Sequence, residues 1–224
     1  MNALNNASIK DESCPGPASC AFPVAKSSQT GESVSYIPSE DKKWYVLRIK
    51  YGKAQVVADA IIQDGKYVYL AKVWKDIINK ETGKKQRKLV PFMNLLFAYI
   101  TAEEAAKYVN DSPESRYTTY YYNHFETYYD GKNPPLTVST RELEPLVRLT
   151  SIQDEHVMEV NVKNCKFVSD DIVRVTFGPF EGVRGRVARI ARQNRVVVYI
   201  KGLMSGLTTA YIPPYYLEKV DTKE

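Results

Sequence analysis

Cationic side chains gather in two separate parts of this sequence, and both groups have the chemistry to bind phosphate. The first group consists of Lys72, Lys75, Lys80, Lys84, Lys85, Arg87 and Lys88. Lysine and arginine beside nucleic-acid phosphates displace counterions, which gives salt-dependent binding that is blind to base sequence. This group therefore predicts contact with DNA or RNA phosphates. A charged strand edge that resists aggregation is an equally supported alternative.

The second group lies nearer the carboxyl end of the chain. Its members are Arg184, Arg186, Arg189, Arg192 and Arg195. Because guanidinium groups pair with phosphates and with carboxylates alike, this group is suited to RNA or to an acidic protein.

Tyrosine is concentrated in one short segment between the two basic groups. Its members are Tyr117, Tyr120, Tyr121, Tyr122, Tyr128 and Tyr129. Aromatic rings can stack unpaired bases. Tyrosine is also a favoured strand residue, and this structural interpretation is the preferred one.

Few residues of this chain could act in catalysis or bind a metal ion. The chain has only two histidines, His124 and His156, and no cysteine pair has the short spacing of a zinc knuckle. The glycine-rich phosphate loops and the nucleophile elbow of hydrolases are also absent. We therefore expect no metal, no cofactor and no enzymatic activity. An enzyme with dispersed catalytic groups would need a polar pocket, for which the sequence offers no constellation.

The composition is that of a globular protein. The 224 residues are 44% hydrophobic and 25% charged, with a net charge of +5, which excludes collagen-like and wholly disordered chains. The longest apolar runs fall far short of the roughly 18 residues that span a bilayer, and residues 1–40 lack a secretory signal pattern. Three cysteines, Cys14, Cys20 and Cys165, suit a reducing compartment. We expect a cytoplasmic monomer without membrane contact.

The elements that must position these residues begin after a polar segment. Residues 1–41 lack periodicity and are predicted to be a flexible tail. A buried strand follows at 42–49, and an amphipathic helix at 53–63 ends before Gly65. The basic group then falls on a predicted hairpin formed by 67–78 and 86–90.

Two capping boxes mark later helix starts. A strand at 95–100 leads into Thr101 and Glu104, which have capping-box spacing, and a strand at 116–122 precedes a second box at Ser139 and Glu142. Pro145 argues against the second helix because proline lacks the backbone donor.

The rest of the chain is predicted to form a separate module. Residues 151–166 are polar and irregular, as in a linker, and four short strands from 172 to 212 suit a small β-barrel. The predicted class is α+β, an antiparallel sheet flanked by helices and linked to the barrel. The predicted divisions are 1–41, 42–150, 151–166 and 167–220.

Two separated motifs resemble one family. Trp44-Tyr45-Val46 and Phe92-Met93-Asn94-Leu95-Leu96-Phe97-Ala98 resemble the N-terminal domain of NusG-family transcription elongation factors, and residues 178–187, GPFEGVRGRV, resemble the KOW motif of an SH3-like barrel. The resemblance spans roughly residues 43–220. Within it, residues 121–124 and 141–147 are similar to UpxY-type paralogues, which antiterminate operons for capsular and surface polysaccharide.

The resemblance implies which residues contact partners. An apolar patch would face RNA polymerase, and Phe92 is its favoured exposed anchor, although apolar strand residues such as Val46 and Phe97 are often only core. The patch consists of Val46, Phe92, Leu95, Phe97, Leu143 and Leu146. In the KOW module the implied partner residues are Phe180, Arg184, Arg186 and Arg189, while Gly182 and Gly185 serve backbone conformation.

The implied function is non-catalytic. The N-terminal domain would sit on the clamp helices of RNA polymerase and disfavour paused states. Nascent RNA or non-template DNA would contact the basic residues, and a ribosomal protein or a Rho-type regulator would bind the barrel. Two alternatives remain open: a general NusG-type elongation factor, and a KOW-containing RNA-binding or ribosome-associated protein.

Overall fold

A computed structural model describes residues 22–79, 83–128 and 131–220. Its N-terminal region contains nine strands and three helices among the described residues. They are β1 (Ala25–Lys26), β2 (Ser33–Val34), β3 (Lys43–Ile49), α1 (Ala54–Gln63), β4 (Tyr67–Tyr69), β5 (Lys72–Ile78), β6 (Lys85–Pro91), β7 (Leu95–Ile100), α2 (Ala102–Ala106), β8 (Thr118–Tyr120), β9 (Thr137–Val138) and α3 (Thr140–Ser151).

The centre of this region is an antiparallel sheet with strand order β4-β7-β3-β8, and β9 also pairs with β3. Side chains of β3 alternate between its two faces, because successive strand residues point in opposite directions. Trp44 and Val46 join the core on one face, whereas Leu47 and Ile49 join the core on the other. The prediction of a strand buried on both faces is confirmed.

Two helices cover the face that carries Leu47 and Ile49, here called the helix face. Helix α1 buries Val57 and Ile61 against it, as the apolar spacing predicted. Helix α2 begins at the predicted capping box, in which the Thr101 hydroxyl accepts a hydrogen bond from the Glu104 backbone amide. A π-helical turn at Lys107–Asp111 extends α2.

Helix α3 covers the other face, here called the opposite face. The Ser139–Glu142 capping box starts it, and Pro145 is accommodated inside the helix. The phenol of Tyr69 lies 2.6 Å from the Thr150 hydroxyl and donates to the Val147 carbonyl, which ties α3 to β4.

The described part of the predicted tail also packs on this sheet. Phe22 and Tyr36 stack near Trp44, with ring centroids 5.1 Å and 5.4 Å away. The Ser28 hydroxyl donates to the Asp59 carboxylate of α1. The prediction of flexibility over 1–41 therefore does not fit residues 22–41, because their scattered aromatic residues find partners without any periodic spacing. Residues 1–21 lie outside the described part of the chain.

The predicted basic hairpin forms from β5 and β6, which pair along their full lengths. Tyr67–Tyr69 belongs to the central sheet instead, where it pairs with β7. The hairpin therefore begins at Lys72, and residues 80–82, between β5 and β6 in sequence, lie outside the described residues.

The C-terminal region is a six-stranded antiparallel sheet with order β10-β14-β13-β12-β11-β15. Its strands are β10 (Met158–Asn161), β11 (Lys166–Val175), β12 (Arg184–Ile190), β13 (Gln193–Val198), β14 (Ser205–Tyr211) and β15 (Leu217–Lys219). Mixed helices and antiparallel sheets were predicted, and that coarse class is confirmed. Assignment of this sheet to the KOW barrel remains a prediction.

The predicted linker 151–166 is structured where it meets both regions. Its first residue ends α3, and β10 pairs with β14 of the C-terminal sheet. Two close approaches join the regions: a methyl group added at Gly202 would lie 2.7 Å from Leu136, and one at Gly182 would lie 2.8 Å from Arg148. One continuous apolar core thus runs from the opposite face through α3 into the C-terminal sheet.

Candidate functional site

The six residues predicted to face polymerase come together, but in the core. Their side chains are fully buried in the apolar cluster of the opposite face. They are Val46, Phe92, Leu95, Phe97, Leu143 and Leu146. Four of them lie on or beside the strands of the sheet, and Leu143 and Leu146 lie on α3, which covers it. Their contact with polymerase remains a prediction.

Phe92 differs most from its prediction, because it is buried rather than exposed after Pro91. Its amide donates to the Ala71 carbonyl at 2.8 Å. Met93 and Asn94 then adopt left-handed backbone conformations, with φ of 52° and 55°. This turn lies between β6 and β7, directly after the buried Phe92, and strand composition alone does not reveal it.

Polar contacts fix the start of α3 on the opposite face. The indole of Trp44 donates to the Thr140 hydroxyl at 3.2 Å, and the Tyr36 phenol lies 3.0 Å from the same hydroxyl. Buried polar groups need such partners, because an unmatched donor costs free energy. The start of α3 is thus held by the strand that carries Val46 and by the N-terminal segment.

A groove of about 300 Å³ separates α3 from the C-terminal sheet. Pro145, Ile172 and Val198 contribute apolar walls. Arg141, Arg184, Arg186, Lys201, Glu142 and Glu144 add charged groups to its lining. The groove therefore has mixed character, which is typical of an interface between two structural units.

Several hairpin cations already have partners. Lys72 donates to the Gln55 side chain at 2.9 Å, Lys75 lies 2.5 Å from Glu159, and Arg87 lies 3.3 Å from Glu155. Lys84, Lys85 and Lys88 are exposed, whereas Lys80 falls outside the described residues. Only part of the predicted basic surface is therefore open to a ligand.

The residues predicted to bind a partner in the C-terminal region also differ in their exposure. Phe180 is buried in the core and Arg189 is exposed. Arg186 pairs with Asp170, donates to the Tyr199 phenol and lies 4.1 Å from the centroid of the Phe167 ring. Its guanidinium is thus engaged within the sheet.

Two glycines of the KOW-like segment, Gly182 and Gly185, are required for different physical reasons. Gly182 adopts φ of 79°, as expected for a turn glycine, and Gly185 does not. A methyl group at Gly185 would lie 2.4 Å from the Val197 carbonyl oxygen. Close approach of strands, rather than backbone conformation, requires glycine at that second position.

The tyrosine segment divides between core and surface. Tyr121 is buried, while Tyr122 and Tyr128 are 45% and 59% exposed. Tyr129 lies outside the described residues. Some rings are therefore structural, as preferred from the sequence, and others remain accessible.

Sequence reasoning missed the buried, hydrogen-bonded carboxylate of Asp59. Burial alone would raise the pKa of this carboxyl, but hydrogen bonds from Ser28 and Gln55 outweigh burial and lower it. An acidic residue on the apolar side of α1 was the available signal. Elsewhere, burial raises the pKa of the Cys165 thiol, which disfavours its nucleophilic thiolate form.

Two kinds of feature are absent from the described residues. They contain no cluster of three or more histidine, cysteine or acidic side chains arranged to hold a metal ion. No helix within them has the length and apolar character needed to cross a membrane.

The comparison with family models identifies the N-terminal region. Residues 42–146 match the model described as "Transcription termination factor nusG". A search of curated proteins gave no significant match. The matched segment runs from the start of β3 into α3 and includes every residue of the predicted apolar patch. Residues 42–146 are therefore similar to the NusG family.

Proposed function

We propose that this protein is a transcription elongation and antitermination factor that binds RNA polymerase through its N-terminal region. The family match over residues 42–146 carries this proposal. The factor suppresses pausing or termination without making or breaking bonds, in keeping with a family of non-enzymatic transcription factors. A protein that binds the elongating state better than the paused state shifts the population by that difference in affinity.

The proposed contact residues are the apolar residues of the opposite face together with Leu143 and Leu146 of α3. Because all six are buried, this proposal requires that the covering elements move before polymerase reaches Leu95 and Phe97. A large apolar surface of this kind supplies the buried centre of a protein interface. The hairpin cations Lys72, Lys75, Lys84, Lys85, Arg87 and Lys88 would then contact nucleic-acid phosphates.

The C-terminal sheet is proposed to be a KOW module that recruits a ribosomal protein or a Rho-type regulator. Its exposed Arg189 and the groove-lining Arg184 support an acidic partner. Surface polysaccharide operons are the proposed targets, on the resemblance of residues 121–124 and 141–147. Loss of read-through confined to distal genes of one operon after deletion would support this specialisation, whereas a genome-wide pausing defect would support a general factor.

Neighbouring leucines provide the test of the polymerase surface. Leu95 and Leu96 are both fully buried in β7 but belong to cores on different faces. We expect Leu95→Val to weaken binding to purified polymerase several-fold more than Leu96→Val, at similar thermal stability. Affinity should be measured at salt that removes nucleic acid. Equal effects of the two variants would contradict use of the opposite face.

Absence of polymerase binding by the unaltered chain would contradict the whole proposal. An RNA-binding or ribosome-associated protein would then be favoured, and copurification with ribosomes instead of polymerase would support it.

A further inference from the structure

The segment 153–159 lies against the basic hairpin. The Trp74 indole donates to the Gln153 carbonyl at 2.8 Å. Arg87 contacts both the carboxylate and the backbone carbonyl of Glu155. Lys75 lies 2.5 Å from Glu159 at the start of the C-terminal sheet. The two carboxylates occupy positions beside cations that nucleic-acid phosphates would otherwise take.

The hairpin carries more positive charge than this segment neutralises. Lys75 and Lys88 are directly opposite each other across the two strands, an unfavourable arrangement for like charges. Lys85 and Lys88 are exposed and form no ion pair with any described residue. The hairpin is therefore a two-sided cationic strip. One face carries Lys75, which is paired with Glu159, and the open Lys88, and the other carries Arg87, which is paired with Glu155, and the open Lys85.

We propose that the segment 153–159 is a built-in competitor that occupies part of the hairpin's nucleic-acid site. On one face a nucleic acid first engages Lys85, then displaces Glu155 and gains Arg87. On the other face it first engages Lys88, then displaces Glu159 and gains Lys75. This regulation rests on the proposed use of the hairpin for phosphate binding. Because the segment joins α3 to the C-terminal sheet, nucleic-acid binding loosens a connection between the two regions.

Displacement is expected to begin at the Arg87–Glu155 pair, because the Glu159 side chain of the other pair is only 24% exposed. The side chains of Arg87 and Glu155 are 44% and 60% exposed. Exposed pairs are screened by water and salt, whereas a nucleic acid gains affinity by releasing many condensed counterions. The contacts are therefore strong enough to compete with a short or weak ligand and weak enough to yield to a longer one.

The test compares charge-matched variants of the full chain. The first is Glu155→Gln/Glu159→Gln, and its control is Glu103→Gln/Glu181→Gln, which changes the net charge equally at exposed residues away from the hairpin. Binding of a 20-base-pair DNA duplex and of a single-stranded RNA of 20 nucleotides is measured by fluorescence anisotropy across salt concentrations. The two probes distinguish which nucleic acid the strip prefers.

We expect the first variant to bind about five- to tenfold more tightly than the control. Its salt dependence should steepen by up to about two units of log K per log salt, because two further cations become available. Lys75→Gln/Arg87→Gln should have little effect in the unaltered chain and a clear effect in the Glu155→Gln/Glu159→Gln background, a non-additivity that reports competition.

Two failures are distinguishable. If Lys85→Gln/Lys88→Gln leaves binding of both probes unchanged, the hairpin is not the nucleic-acid site and its proposed function is wrong. If that variant weakens binding but Glu155→Gln/Glu159→Gln matches its control, the hairpin binds nucleic acid and the competitor proposal is overturned.

Discussion

The two faces of the N-terminal sheet are covered in different ways. Helices α1 and α2 cover the helix face, and they lie next to its strands along the chain. The opposite face is covered by α3 and residues of the N-terminal segment, and its core continues into the C-terminal sheet. Elements close in sequence to the strands thus cover the helix face, and elements distant in sequence cover the opposite face.

This difference bears directly on function. All six predicted polymerase contacts lie in the core of the opposite face, whose covering elements come from separate parts of the chain. Helix α1 is joined to β3 and β4 by short connections on both sides, whereas α3 is joined closely only to β9. If polymerase binds the opposite face, as proposed, α3 is the element that must move.

The largest expected effect on stability comes from truncating one leucine in the core of each face. Leu146→Ala and Leu47→Ala should each lower the free energy of unfolding by about 2–5 kcal/mol, because both side chains are fully buried. Only Leu146→Ala should also increase amide exchange in β13 and β14, which contact α3. Chemical denaturation and hydrogen exchange measure the two quantities.

Equal exchange in β13 and β14 for the two leucine variants would contradict the comparison. It would mean that the C-terminal sheet is either independent of both faces or coupled to both. Exchange of α1 amides serves as the internal control, since α1 contacts the core that contains Leu47.

A smaller effect is expected where the C-terminal sheet approaches the opposite face. Gly202→Ala should lower the free energy of unfolding by about 2 kcal/mol. The φ of 101° is strained for alanine, and the added methyl group would lie 2.7 Å from Leu136. Gly131→Ala is the matched control, because its φ is 79° but nothing lies within 4 Å. Thermal denaturation should show a larger loss for Gly202→Ala. Similar losses would indicate strain alone and no tight contact.

Local rules predicted much of this fold. The α1 spacing and the capping boxes at Thr101 and Ser139 each depend on residues within a few positions, and all were confirmed. The family resemblance, and not a local rule, grouped Leu95 with Leu143, and both lie in one apolar cluster. Local rules did not predict the burial of Phe92, which depends on a left-handed turn, or the packing of residues 22–41, which depends on partners far along the chain.

Substitution of Asp59 provides the smallest and most selective test. Its carboxylate connects α1 on the helix face to the N-terminal segment, and that segment also contacts the core of the opposite face. Ala25 and Val34 pack against both apolar cores, and the Ser28 amide donates to Asp59 of α1 at 2.8 Å. Asp59→Asn removes the charge from this buried contact. We expect it to lower stability at neutral pH by about 1 kcal/mol, within the usual range for one hydrogen bond.

The pH dependence of that loss follows from the direction of the Asp59 pKa shift. The pKa is lower in the folded chain than the ordinary value of about 3.9. The stabilising contribution of the charged carboxylate is therefore complete above about pH 5 and declines as the pH falls through the folded pKa. The stability difference between the unaltered chain and Asp59→Asn should shrink over this acidic range, when followed by urea denaturation at successive pH values. Asp111→Asn, at an exposed position, controls for general charge effects. A difference that stays constant with pH would show that Ser28 does not hold the ionised form of Asp59, and that the N-terminal segment is fixed to the helix face by apolar packing alone.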